Sequence, residues 1–158
     1  MHYENTGEFV EFGIKKLIEL NKENFEICLA WLSGYVTHLI ADSVVHPVVN
    51  AIVGPYLFNS EEHRHCEMIQ DSYIFKEIKK VEIEYAEFIE LIKMCSMPAD
   101  KYKLSIPLCN FWAENLKMSH PGGKEKFNRI IPDNWHKNFI SIVEKISSSS
   151  LPAEKVDS

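Results

Sequence analysis

The sequence predicts a single all-α domain, a multi-helix bundle over residues 1–146 followed by a flexible serine-rich tail over 147–158. Three observations predict it. Apolar residues recur at helical spacing in each long segment. No alternating strand pattern of useful length and no internal repeat is visible. The length of 158 residues suits one domain, which buries about 68–70% of its unfolded surface and needs no disulfide or structural metal to fold.

Gly7 to Leu20 reads as an amphipathic helix, with Phe9, Val10, Phe12, Ile14, Leu17, Ile18 and Leu20 among lysines and glutamates. Asn21 ends it. A longer helix runs from Glu23 to about Val45, where Pro47 bends or ends it because proline lacks an amide donor and crowds the preceding turn. Val48 to Phe58 reads as an apolar connection broken by Gly54-Pro55. Ser60, followed by Glu61 and Glu62, reads as an N-cap with acids in the first turn. That helix runs through Ile78, and the helical pattern extends, with or without a break, to Met97, where Pro98 closes it. Lys101 to Lys117 reads as a helix kinked at Pro107, Pro121-Gly122-Gly123 as a breaker, and Pro132 to Ile146 as the last helix.

Hydrophobic residues at 46% and charged residues at 25% exclude wholesale disorder, and a net charge of −6 argues against a duplex nucleic-acid binder. Cys28, Cys66, Cys95 and Cys109 form no CxxC pair and read as free thiols of a reducing compartment. Met1-His2-Tyr3 begins no signal peptide, so a cytoplasmic location is expected. Ile27 to Phe58 carries Asp42 as its single charged side chain and is long enough to span a bilayer. His38, Asp42, His46 and the breaks at Pro47, Gly54 and Pro55 favour the central helix of a soluble bundle instead.

Five of the seven histidines fall in the first 65 residues. Gly34, His38, Asp42 and His46 are four apart, and each such step rotates about 40°, so they line one slowly drifting helix face. Leu39, Ile40, Ala41, Val44 and Val45 flank them, which predicts that the polar stripe faces inward. His63, Glu67 and Asp71 repeat the step on the next helix. Each set alone fits a bland reading, a core ion pair for the first and a solvated face for the second. Together, imidazoles and carboxylates on two adjacent helices make the donor set of a catalytic zinc or a related metal. His65 points nearly opposite His63, and His120 and His136 read as solvated. Zincin HExxH, His-Asp dipeptides, the ExxH step of di-iron bundles, GxSxG and the P-loop are all absent.

The run Gly34 to Pro47, containing HxxxD and the later His46, with His63-Arg-His-Cys-Glu67 behind it, resembles the zinc-dependent phospholipase C family. HxxxE at 63–67 matches the phospholipase side, whereas related nucleases carry HxxxD. The interval of four from Asp42 to His46 is similar to that of the glycosylphosphatidylinositol-specific branch. The resemblance implies one zinc at His2, His38 and Asp42 and a second at His46, His63 and Glu67, with Asp71 as a further possible carboxylate. It also implies a phosphodiester substrate such as a phospholipid head group, with Asp42 orienting the nucleophile. Tyr35, Tyr56 and Phe58 are the residues expected to accept apolar substrate. Family enzymes carry a further histidine and an aspartate ahead of the position of His2, and these have no counterpart here. A catalytically silent metal-binding or interaction domain on the same scaffold is therefore the alternative, with a nuclease third.

Overall fold

The computed structural model describes residues 5–81, 88–120, 122 and 132–149. These form six helices and one small hairpin, so the chain is all-α in class. Helix α1 (Thr6–Leu17) buries Phe9, Gly13 and Leu17, one face at four-residue spacing. Helix α2 (Lys22–Val53) starts at Asn21, whose side chain accepts from the Asn24 amide at 2.9 Å and satisfies an otherwise unpaired N–H. Helix α3 (Ser60–Lys79) follows, then α4 (Phe88–Lys93), strands β1 (Ser96–Met97) and β2 (Asp100–Leu104), α5 (Ile106–Ser119) and α6 (Pro132–Ser149).

The core joins α1, the first half of α2, and α5. Phe9, Leu17, Cys28, Leu32, Phe111 and Leu116 are buried together, with Trp31, Tyr35, Trp112 and Trp135 packed around them. Each large apolar side chain removed from water there contributes about 1.5–3 kcal/mol. Gly13 sets the approach of α1 to α2, since a Cβ there would lie 3.0 Å from both Leu32 methyls. All four cysteines are free, and burial pushes the thiol pKa of Cys28, Cys95 and Cys109 upward.

Several expectations are corrected. Helix α2 does not stop near Val45 but passes through Pro47 to Val53, absorbing the first six residues of the expected connection Val48 to Phe58. Pro47 and Ser43 both lie on the exposed side of α2, where water can satisfy a carbonyl that lacks the proline's missing amide. Asn59, not Ser60, occupies the N-cap of α3. That helix ends at Lys79, with Lys80 left-handed at φ 59°, and of the two expectations the broken one holds: α4 is a separate helix that ends at Lys93, short of Met97, which lies in β1.

Residues 96–104 are not helical. Ser96 pairs with Leu104 and Met97 with Asp100 in an antiparallel ladder. Asp100, Tyr102 and Leu104 face inward while Lys101 and Lys103 face out, the period of two that a strand requires. Pro107 does not kink α5, because it stands in the first turn, where no amide donor is needed. His120 and His136 are buried, not solvated. His136 Nε2 lies 2.8 Å from Ser96 Oγ and 3.2 Å from the Lys101 carbonyl, and Asp133 accepts the Leu104 amide at 2.9 Å, so α6 clamps the hairpin. The last helix continues past Ile146 to Ser149. Residues 150–158 of the expected tail lie outside the described residues.

The two helices carrying the polar ladders are less enclosed than expected. Ile40, Val44, Val48 and Ile52 on α2 are each more than half exposed, and His63 is the buried residue of α3. The reason is the division of partners along α2: among the described residues, α1 and α5 pack on its first half, and α3 is the main partner of the second. By length and composition α2 is a helix able to cross a membrane, with 6% of its most apolar window buried.

Candidate metal centre

The site is built where the chain reverses. Helix α2 closes at Gly54, whose amide bonds the Asn50 carbonyl at 2.9 Å and whose φ is 85°. A short connection follows, with the Phe58 amide on the Pro55 carbonyl at 3.1 Å and the Asn59 side-chain amide on the same carbonyl at 3.3 Å. Helix α3 then lies beside the second half of α2, so the ladder His38, Asp42, His46 meets His63 and Glu67.

His46, His63 and Glu67 each offer a ligand atom, and these atoms all lie within 4.8 Å of one another. His46 Nε2 is 3.5 Å from Glu67 Oε1 and 3.8 Å from Asp42 Oδ2. The same Asp42 oxygen is 3.4 Å from His38 Nε2, so Asp42 links His38 to the three-residue cluster. Enclosure rises toward one end: His38 is half exposed, Asp42, His46 and Glu67 are partly buried, and His63 is fully buried.

His63 shows most about what the cluster can hold. Its Nε2 is 2.7 Å from the Gly54 carbonyl oxygen, which only accepts, so Nε2 carries the proton of the neutral ring. Nδ1 then bears a lone pair, and it is buried with no hydrogen-bond partner. A buried acceptor left unmatched costs about 1–3 kcal/mol, which a folded chain rarely tolerates without a ligand. Two imidazoles and a carboxylate, one of them with an unused lone pair, fit a zinc ion that keeps a further position open.

The remaining site candidates are placed as follows. His2 lies outside the described residues. Asp71 is exposed and is no member of the cluster. The Tyr35 ring stacks on Trp31 at 5.8 Å and packs against Phe9 at 4.8 Å, so it belongs to the aromatic core, and burial raises its phenol pKa. Tyr56 stands edge-on to His63 at 5.3 Å between ring centres, and Phe58 is 80% exposed on the connection beside it. His65 lines a separate cavity of about 530 Å³ with Ile52, Val53, Glu61, Glu62, Cys66 and Ile69. A cavity of about 770 Å³ between α1 and α5, among Phe12, Lys16 and Met118, shares no residue with the histidine cluster. The sequence marks Gly54-Pro55 only as a chain break, and the contact of the Gly54 carbonyl with His63 comes from the fold.

An all-α scaffold with His/His/Glu converging between two helices defines a protein equipped with the donor set of hydrolytic zinc sites. A family model described as zinc dependent phospholipase C matches residues 1–122, and the chain belongs to that family. No curated protein and no solved structure gives a significant match.

Proposed function

We propose that this chain is a zinc-dependent hydrolase of a phosphodiester, such as the head-group bond of a phospholipid. The observation that carries the reading is the convergence of His46, His63 and Glu67, together with the buried, unpartnered Nδ1 of His63. His46, His63 and Glu67 would hold one zinc, and His38 and Asp42, joined by His2, a second. Zinc bound there supplies Lewis acidity and brings the pKa of water toward about 7.

The chain's own residues do the rest. Asp42 Oδ2, lying between His38 and His46, accepts a hydrogen bond from the attacking water and orients it toward phosphorus. Tyr56 and Phe58, exposed at the rim, offer apolar surface to the lipid portion. The net charge of −6 disfavours a polyanionic nucleic acid as substrate.

The test is metal analysis of the purified protein, followed by hydrolysis of phosphatidylcholine and p-nitrophenyl phosphorylcholine. Zinc should copurify, and a chelator should abolish turnover that added zinc restores. Glu67→Gln should lower both zinc content and turnover while keeping the helical circular dichroism. Protein that holds no zinc, or turnover indifferent to the chelator, sinks the reading. A second reading, a metal-binding domain without turnover, is favoured by the inequality of the two donor sets, since His38 is half exposed whereas His63 is fully buried. It predicts bound zinc and no hydrolysis.

A further inference from the structure

We propose that Gly54 is a positioning residue for the metal centre: its backbone carbonyl holds His63 Nε2–H and thereby commits Nδ1 to the ion. This rests on the zinc reading above and goes beyond it, by assigning the coordinating nitrogen and the backbone group that selects it.

Gly54 has φ 85° and ψ −177°, a region of backbone space that is essentially restricted to glycine. A second constraint acts at the same residue. A Cβ built on Gly54 would lie 2.8 Å from Asn59 Nδ2, closer than real Cβ contacts come. Asn59 is itself tied down, its side-chain amide on the Pro55 carbonyl at 3.3 Å and its own carbonyl on the His63 amide at 2.9 Å. The turn therefore has both a conformation and a packing that admit glycine alone.

The consequence for His63 is chemical. A carbonyl oxygen cannot donate, so an imidazole nitrogen 2.7 Å from it must carry the proton. In a neutral ring the other nitrogen is then the acceptor, and here that nitrogen is the buried, unpartnered Nδ1. Hydrogen bonding of the distal ring nitrogen to a carbonyl fixes both tautomer and ring orientation in metal sites generally. Gly54 also ends the helix that carries His46, and the turn it begins leads to the helix that carries His63 and Glu67. One residue thus sets both the reversal of the chain and the polarity of the buried imidazole.

The test reads the tautomer directly. Long-range proton–nitrogen correlation spectra of the histidine side chains are recorded on the metal-free protein and after zinc addition, with His63 assigned by its loss in His63→Leu. The expected metal-free signature is a single tautomer protonated on Nε2, and zinc should shift Nδ1 while Nε2 stays protonated. Gly54→Ala should give mixed tautomers and weaken zinc binding, measured by competition with a chelating dye, by about 10–100-fold. Asn59→Ala, which leaves the glycine turn in place, should bind zinc within about threefold of the parent, well inside that outer-shell range. The wild-type spectra decide the matter even where Gly54→Ala does not fold. Protonation on Nδ1, zinc coordinated through Nε2, or undiminished affinity in Gly54→Ala overturns the positioning role and leaves the zinc reading standing. Failure of the wild type to take up zinc overturns the zinc reading, and the positioning role falls with it.

Discussion

Replacing His63 by leucine separates a metal ligand from a core histidine. The substitution deletes the 2.7 Å bond to the Gly54 carbonyl and removes the unmatched Nδ1 from a fully buried position. A neutral hydrogen bond contributes about 0.5–1.5 kcal/mol net, whereas a buried unsatisfied polar atom costs about 1–3 kcal/mol. The two effects oppose, so the metal-free variant should remain within about 2 kcal/mol of the metal-free parent. Zinc changes the comparison. At one hundred times its dissociation constant, a ligand that binds the folded state alone stabilises it by about 2.7 kcal/mol. For a chain of this size about 2–4 °C accompanies each kcal/mol, so zinc should raise the parent's melting temperature by about 5–11 °C. His63→Leu should show almost none of that rise. The assay is thermal unfolding by circular dichroism with chelator and with buffered zinc. An equal zinc-induced rise in the variant refutes the ligand role. A metal-free variant weakened by more than about 4 kcal/mol refutes the account of His63 as a residue whose folded state is completed by an ion.

Other outcomes test the frame around the site. Burial lowers the pKa of His136, the Lys101 carbonyl and Asp133 opposing that effect, so the unfolded chain binds its proton more readily than the folded one. This residue's share of stability is intact above about pH 6.5 and is lost as pH falls through the depressed folded value. Urea unfolding across that range should show a shallower acid loss in His136→Gln, and an unchanged slope would remove His136 from the account. Gly13→Ala places a methyl 3.0 Å from both Leu32 methyls and should cost about 1–3 kcal/mol by overpacking, read from the urea midpoint. Gly7→Ala, which meets nothing within 4 Å, should not lower stability.

The ladder of four-residue steps was legible because a helix repeats its faces locally. His38, Asp42 and His46 needed only an unbroken α2 to line up, as did His63 and Glu67 on α3. Where a local pattern served two structures, the reading went astray. Leu104, Leu108 and Phe111 recur at near-helical spacing, yet Leu104 ends a strand whose inward face is set by α6, through the Asp133 carboxylate on its amide and His136 at the hairpin. His120 and His136 were read as solvated for a similar reason, since their burial comes from partners distant in sequence or from a helix end. The exposure of Ile40, Val44, Val48 and Ile52 was hidden too, because apolar composition states what a helix prefers and not which neighbours reach it.

By itself, the sequence determined the helical class, the residue types of the centre and their order along the chain. Those depend on periodicity and on side-chain chemistry, both carried within a turn or two of helix. The tertiary structure alone decided that His46, His63 and Glu67 converge while Asp71 stays outside and Tyr35 packs into the aromatic core. It also decided which nitrogen of the His63 ring is bonded to the Gly54 carbonyl and which is buried without a partner. The physical reason is the reversal at Gly54, where one φ angle turns the chain from α2 into α3 and one carbonyl holds the proton of the His63 ring on Nε2.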